Sequence, residues 1–302
     1  MKKLYGLTTA MITPFCSDGS VDIPKMKELT RFQIERGTHC LYPCGTTGEM
    51  YLLSEKERKS VAEAVVEEAA SRATVFIHVG AMQQDETIRL AQHAEKIGAD
   101  GVGVVTPSYF HLSDRELITY FVTVAKSVSP DFPVYLYNIP QCAGNDLKTD
   151  VIAEIRKQAP NVIGVKYSFA DFVRTNEYVA LGDGFSVVIG ADILFVPGLA
   201  MGCTGTVSGV ASAYPEPFVA IYKAFQEGDI KKARELQAFG IEIANILKNG
   251  SNMSYFKTAL AHRGVSAGSM KAPLLDITEE EKKNLIVQLE DWERRFFSKK
   301  HK

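Results

Sequence analysis

Short apolar runs alternate along most of this 302-residue chain with longer stretches whose apolar positions recur every three to four residues. The short runs predict strands at Gly6–Ile12, Cys40–Cys44, Thr74–Val79, Gly101–Val105, Val134–Tyr137, Val162–Tyr167, Phe185–Ile189 and Gly205–Ser208. Their apolar residues are continuous rather than alternating, as in strands covered on both faces by helices. The stretches between them predict amphipathic helices near Ile23–Glu35, Glu55–Ala70, Glu86–Ile97, Arg115–Ser127, Asp150–Gln158, Phe172–Leu181, Ile193–Met201 and Pro217–Glu227. Ser54 with Glu57, Ser113 with Glu116 and Thr278 with Glu281 have capping-box spacing, which marks helix starts. Glycines mark ends, as in Ile97-Gly98-Ala99-Asp100-Gly101.

Successive strand–helix units of this kind predict the α/β class and a closed (β/α)8 TIM barrel over residues 1–228. An open doubly wound sheet ranks lower, because no Gly-x-Gly-x-x-Gly turn follows the first strand. After Asp229 the pattern changes. Ile230–Leu247, Met253–His262 and Glu279–Phe297 are helical with no strand between them, which predicts a three-helix extension, residues 229–302, packed on the barrel. Trp292 and Phe296-Phe297 on its last helix are expected to pack against the barrel or a neighbouring subunit.

Composition narrows the function classes. The chain is 46% hydrophobic and 23% charged with a net charge of −2, so no basic field is present to hold nucleic acid or an anionic membrane. Lys299-Lys300-His301-Lys302 is a short basic tail, read as a solubilising end. No apolar stretch approaches the roughly 18 residues of a membrane span, and Thr8, Thr9 and Thr13 interrupt any signal-peptide core. A cytoplasmic enzyme is expected. Five scattered cysteines do not form a disulfide framework. Cys40 and Cys44, beside His39, lack a second ligand pair at zinc-like spacing and read as small apolar residues of a buried strand, so no metal site is expected.

In a barrel of this kind catalytic groups sit at the C-terminal ends of the strands. The second strand ends in Gly45-Thr46-Thr47-Gly48-Glu49, whose glycines admit a ligand close to the backbone and whose amides and hydroxyls suit a carboxylate. The same composition also makes a capped turn. The fourth strand ends near Thr106-Pro107-Ser108-Tyr109 and the fifth in Tyr137-Asn138-Ile139-Pro140. Each tyrosine is either a proton carrier or an amphipathic rim residue. The sixth strand ends in Lys166, where partial desolvation disfavours the ammonium and equips an amine to attack a carbonyl. A lysine there also snorkels readily to water. The seventh strand ends in Gly190-Ala191-Asp192 and the eighth near Val207-Ser208-Gly209. Asp192 is either a substrate ligand or the N-cap of the helix beginning at Ile193.

Gly45-Thr46-Thr47-Gly48-Glu49, Tyr137-Asn138-Ile139-Pro140 and Gly164-Val165-Lys166 together resemble the signature elements of the dihydrodipicolinate synthase and N-acetylneuraminate lyase superfamily. The resemblance extends over essentially the whole chain. It implies class I aldolase chemistry with no metal or organic cofactor. Lys166 would form an imine with pyruvate or a 2-keto acid, Thr46 and Thr47 would hold the pyruvate carboxylate, and Tyr137 would shuttle a proton. Thr47 would connect Tyr137 to a second tyrosine crossing a subunit interface, which Tyr109 matches. Gly48, Gly190, Asp192 and Val207 complete the expected substrate-binding set. The partners implied are pyruvate and an aldehyde, within a homotetramer built as a dimer of dimers.

The chain departs from its relatives in the residues that meet the second substrate. Dihydrodipicolinate synthases carry an arginine where Cys142 stands, and a thiol supplies no bidentate cation. Sialic acid lyases follow the aspartate with a glutamate and have a serine near position 209, where this chain has Ile193 and Gly209. Gly144-Asn145-Asp146-Leu147 and the apolar pair after Asp192 resemble 2-keto-3-deoxy-sugar-acid aldolases. A carboxylate at position 192 repels phosphate, so the expected substrate is an unphosphorylated 2-keto-3-deoxy sugar acid or sialic-acid-like compound. The alternatives are dihydrodipicolinate synthesis, an imine-forming dehydratase, and a non-catalytic 2-keto-acid sensor.

Overall fold

A computed structural model describes residues 1–182 and 184–298; the basic tail at 299–302 lies outside the described residues. Eight parallel strands close into a barrel in chain order: β1 (Gly6–Ala10), β2 (Cys40–Tyr42), β3 (Thr74–His78), β4 (Gly101–Val105), β5 (Val134–Asn138), β6 (Val162–Tyr167), β7 (Ser186–Ile189) and β8 (Gly205–Ser208). Closure is made by β8 on β1, with Thr8 opposite Val207 and Thr9 opposite Ser208. The outer layer comprises α1 (Ile23–Glu35), α2 (Glu55–Ala69), α3 (Gln84–Lys96), α4 (Asp114–Lys126), the short α5 (Pro140–Ala143), α6 (Thr149–Gln158), α7 (Phe172–Val179), α8 (Phe195–Ala200) and α9 (Glu216–Gln226). The expected TIM barrel is the observed fold. Capping boxes form at Ser54/Glu57 and Ser113/Glu116, and Thr278 and Glu281 exchange the equivalent bonds.

Side-chain alternation along the strands divides the core. Tyr42, Phe76, Tyr135, Val188 and Val207 fill the barrel interior, whereas Leu41, Ile77, Leu136, Val165 and Tyr167 face the helices. Lys166 lies between Val165 and Tyr167 on β6, so the two-residue period of a strand turns it inward. Interior packing is tight enough to exclude Cβ atoms. At Gly164 a Cβ would lie 2.3 Å from the Tyr135 ring.

Several predicted boundaries shift by one or two residues, as where β1 ends at Ala10 rather than Ile12, and two of the changes bear on the site. β2 stops at Tyr42 rather than Cys44, because Pro43 has no N–H for the ladder and Cys44 adopts a left-handed φ of 61°. The helix predicted from Ile193 begins instead as a single 3₁₀ turn, Asp192–Leu194, ahead of α8. Its cap is Ala191, with no side-chain cap bond, so Asp192 is not an N-cap.

The extension comprises α10 (Ile230–Ile246), α11 (Met253–His262) and α12 (Glu279–Ser298). Trp292 is fully buried, stacked on Phe296 at 4.8 Å, edge-on to Tyr214 at 5.2 Å, with Nε1 donating to the Phe239 carbonyl. Arg263 at the end of α11 makes a bidentate pair with Glu216 on α9, at 2.6 and 3.0 Å. Among the described residues, no helix is long and apolar enough to cross a membrane.

Candidate active site

The C-terminal ends of the strands surround a cavity of about 350 Å³. Thr46, Thr47, Tyr137, Lys166, Gly190, Asp192 and Val207 line it. Gly48 and Tyr109 are not among its lining residues.

Lys166 is 4% exposed. Its Nζ lies 3.9 Å from the centroid of the Tyr137 ring and 5.0 Å from that of Tyr42. β5 and β6 are in register here, with Tyr137 opposite Lys166. Tyr137 is buried, and its hydroxyl lies 3.3 Å from Thr46 Oγ1. The threonine within reach of Tyr137 is thus Thr46, not Thr47. The Thr47 hydroxyl faces the end of β8, where a Cβ on Gly209 would come within 3.0 Å of it. Asn138 turns outward and donates to Asp146 Oδ1 at 2.7 Å and to the Tyr178 hydroxyl at 2.9 Å, which fastens the end of β5 to the following loop.

Thr46–Gly48 form a 3₁₀ turn whose amides at Gly48, Glu49 and Met50 bond back to Thr46 and Gly45. Gly48 supports the turn from behind: its carbonyl accepts from Thr13 Oγ1, and a Cβ would lie 3.0 Å from the Met11 carbonyl. Glu49 leaves the turn with a left-handed φ of 61° and is not among the residues lining the cavity. Its carboxylate is held entirely by the extension, through Lys257 Nζ at 2.9 Å from Oε1 and the Lys271 amide at 2.9 Å from Oε2. Side-chain exposures of 3% for Lys257 and 0% for Glu49 make this a buried ion pair. Lys257 also donates to the Ser269 carbonyl and sits over the Phe15 ring.

Across the cavity, Asp192 is half-buried overall, but its Oδ1 is shut from solvent without a protein partner. Burial pushes its carboxyl up to about 7, opposed by the Ser208 hydroxyl and the Lys166 charge. Such an acid has unused capacity for a ligand's donor groups. Gly190 makes room for Ser168, since a Cβ there would lie 1.8 Å from Ser168 Oγ. Ser168, Gln141, Cys142, Lys248 and Asn249 also line the cavity. Cys142, an exposed thiol, stands at the position of the synthase arginine, and Lys248 is a cationic side chain lining the same cavity. Tyr109 is 82% exposed, on a loop where its own φ is 79°.

The sequence reading missed Glu49 as an anchor, Lys257, Ser168, and the rings of Tyr42 and His78 beneath Lys166. Glu49 stood inside a quoted motif, but its partner is far along the chain on a helix whose pattern resembles any amphipathic one. Among the described residues, no cluster of three or more His, Cys, Asp or Glu is placed to hold a metal ion.

A family model described as "Dihydrodipicolinate synthetase family" matches residues 3–291. The chain belongs to the dihydrodipicolinate synthetase family. Within that family it is 36% identical to an uncharacterized DapA-like lyase of Halobacterium salinarum, over 95% of this chain and 94% of that protein. The crystal structure of dihydrodipicolinate synthase from Aquifex aeolicus superposes with a TM-score of 0.91 at 32% identity, covering 96% of this chain and 98% of that one. A catalytic lysine mutant of the Ruminococcus gnavus sialic acid aldolase superposes with a TM-score of 0.90 at 27% identity, covering 98% and 100%. Family membership places the chain in a lyase and synthase class with a class I aldolase fold.

Proposed function

We propose that the protein is a Schiff-base-forming lyase that cleaves or forms an unphosphorylated, polyhydroxylated 2-keto acid through pyruvate. The observation that carries this reading is the buried Lys166 Nζ, 3.9 Å from the Tyr137 ring, whose hydroxyl meets Thr46 at 3.3 Å. Thr46 and Thr47 hold the keto-acid carboxylate. The Lys166 amine adds to the keto carbon, and loss of water leaves an imine that accepts the electron pair of the breaking carbon–carbon bond. Tyr137 takes the proton from the substrate hydroxyl as the aldehyde leaves, and returns it in the reverse direction. Asp192 accepts hydrogen bonds from substrate hydroxyls, which fits an acid whose Oδ1 is buried and unpartnered. The similarity to an aldolase whose structure is named for a catalytic lysine supports the assignment of Lys166.

Dihydrodipicolinate synthesis is the second reading, favoured by the Aquifex aeolicus synthase. Cys142 weighs against it, because aspartate semialdehyde brings a second carboxylate and the thiol offers no cation. Exposure of Tyr109 and of Phe110, at 82% and 71%, fits a tyrosine donated across a subunit interface in a homotetramer. Assaying pyruvate release from 2-keto-3-deoxy sugar acids and N-acetylneuraminate, beside a coupled assay with pyruvate and aspartate semialdehyde, tests the two readings. Turnover only in the coupled assay overturns the first.

A further inference from the structure

Tyr42 and His78 take no part in the mechanism above, yet Tyr42 faces its reacting nitrogen and His78 packs on the rings that do. Tyr42 is 0% and His78 1% exposed. Lys166 Nζ lies between the Tyr42 and Tyr137 rings, and His78 meets both rings, at 6.0 Å and edge-on at 5.9 Å. The barrel omits a side chain to admit Tyr42. A Cβ on Gly103 would lie 1.8 Å from the Tyr42 hydroxyl oxygen. The Tyr42 hydroxyl and His78 Nε2 have no protein partner, although unpaired buried polar groups are unfavourable. An apolar pair would fill the same space without that cost.

We propose that Tyr42, braced by His78, is a positioning residue that stabilises the cationic imine on Lys166; this rests on the Schiff-base reading of the site. The Lys166 amine adds to the keto carbon while the carbonyl π pair moves to oxygen, and a proton passes from nitrogen to that oxygen, giving a neutral carbinolamine. Its hydroxyl takes one proton and leaves as water, and the nitrogen lone pair completes the C=N bond, so one positive charge remains on the iminium. Loss of a proton from the adjacent carbon gives the neutral enamine, the C–H pair forming C=C and the C=N π pair returning to nitrogen. Of these species only the iminium is a cation, so two aromatic faces toward that nitrogen favour it over both neutral neighbours.

A buried cation stands behind His78: Arg58, 2% exposed, donates to the His78 and Gly80 carbonyls at 2.8 and 2.9 Å. Burial holds the Tyr42 phenol well above its ordinary value and keeps it protonated. Burial, then Arg58 and Lys166, hold the His78 imidazole well below its ordinary value and keep it neutral. His78 Nδ1 lies 3.0 Å from the Cys44 carbonyl and 3.4 Å from Arg58 Nη2. The remaining titratable groups facing the nitrogen are Tyr137 and Asp192, the latter across the cavity.

The test replaces Tyr42 by phenylalanine, by phenylalanines carrying increasing numbers of ring fluorines, and by leucine. Each is saturated with pyruvate and given a brief borohydride pulse, and the fraction reduced on Lys166 is read by mass. Hydride adds to the iminium carbon, so the reduced fraction reports that species. Tyr42→Phe is expected within about twofold of wild type, with a stepwise fall on fluorination to on the order of tenfold and a comparable fall in Tyr42→Leu. The fluorinated rings keep the shape of phenylalanine, so the series is readable even where Tyr42→Leu folds poorly. An adduct yield that stays constant across the series overturns the proposal and makes Tyr42 a space-filler. No adduct in the wild type overturns the Schiff-base reading on which it rests.

Discussion

Replacing Lys257 with methionine strands the Glu49 carboxylate. The pair is 2.9 Å apart with side-chain exposures of 3% and 0%, so no water replaces the lost cation. Removing one partner of a buried pair costs about 3–5 kcal/mol, because the remaining charge stays buried and uncompensated. A chain of 302 residues unfolds with an entropy of roughly 0.6 kcal/mol/K, from about 2 cal/mol/K per residue. The expected fall in Tm is therefore about 5–8 °C, read by calorimetry on the purified full chain. Glu49→Gln combined with Lys257→Met removes both charges and keeps an acceptor for the Lys271 amide, so it should recover most of that loss. The double variant should still show a raised KM for pyruvate, because the Thr46–Thr47 turn has lost its ionic anchor. A Lys257→Met protein that melts within about 1 °C of wild type, with unchanged KM, would refute the argument that the extension fixes this loop through Glu49.

Four further outcomes follow from the same geometry. Tyr137→Phe should lower kcat by about 10²–10⁴ while leaving the pyruvate adduct on Lys166, read by steady-state kinetics beside trapping. The folded Asp192 carboxyl titrates near 7, above the unfolded value of 3.8, so its contribution to stability is complete below pH 4 and is lost as pH rises through about 7. Urea unfolding should therefore show wild type losing stability relative to Asp192→Asn between those limits; parallel curves would exclude a raised Asp192 carboxyl. Cys142→Arg should raise the coupled rate with aspartate semialdehyde by about tenfold or more, since a charged pair to the second carboxylate becomes available. Tyr109→Phe should lower kcat in the assembled enzyme without changing the sedimentation coefficient, whereas full activity in a monomer would exclude a shared tyrosine.

The barrel was legible because its strands are short, apolar and regularly separated by amphipathic helices, and because strand ends are where such barrels keep their chemistry. That rule alone brought Thr46, Tyr137, Lys166 and Asp192 to one cavity. Local backbone detail was less legible. Cys44 looked like a strand residue by its apolarity, but Pro43 before it ends the ladder. Asp192 looked like a cap because it precedes an apolar helical run, but it starts a tight turn and keeps its oxygen free. Long-range pairing was not legible at all. Nothing in the residues around Glu49 or Lys257 shows that an acid in the turn and a lysine in the extension neutralise each other in the core. The floor beneath Lys166 was hidden for a related reason, since Tyr42 and His78 read as ordinary interior residues of their strands until closure brings Tyr42 to the nitrogen and His78 to the Tyr42 ring.

The central claim is that Lys166 forms an imine, and borohydride reduction in the presence of pyruvate tests it most directly. Intact mass and a peptide map should show one reduced pyruvate per chain, carried on Lys166, and no adduct in Lys166→Ala. A wild-type protein that binds pyruvate but emerges from reduction unmodified, or modified only at another lysine, would contradict the account.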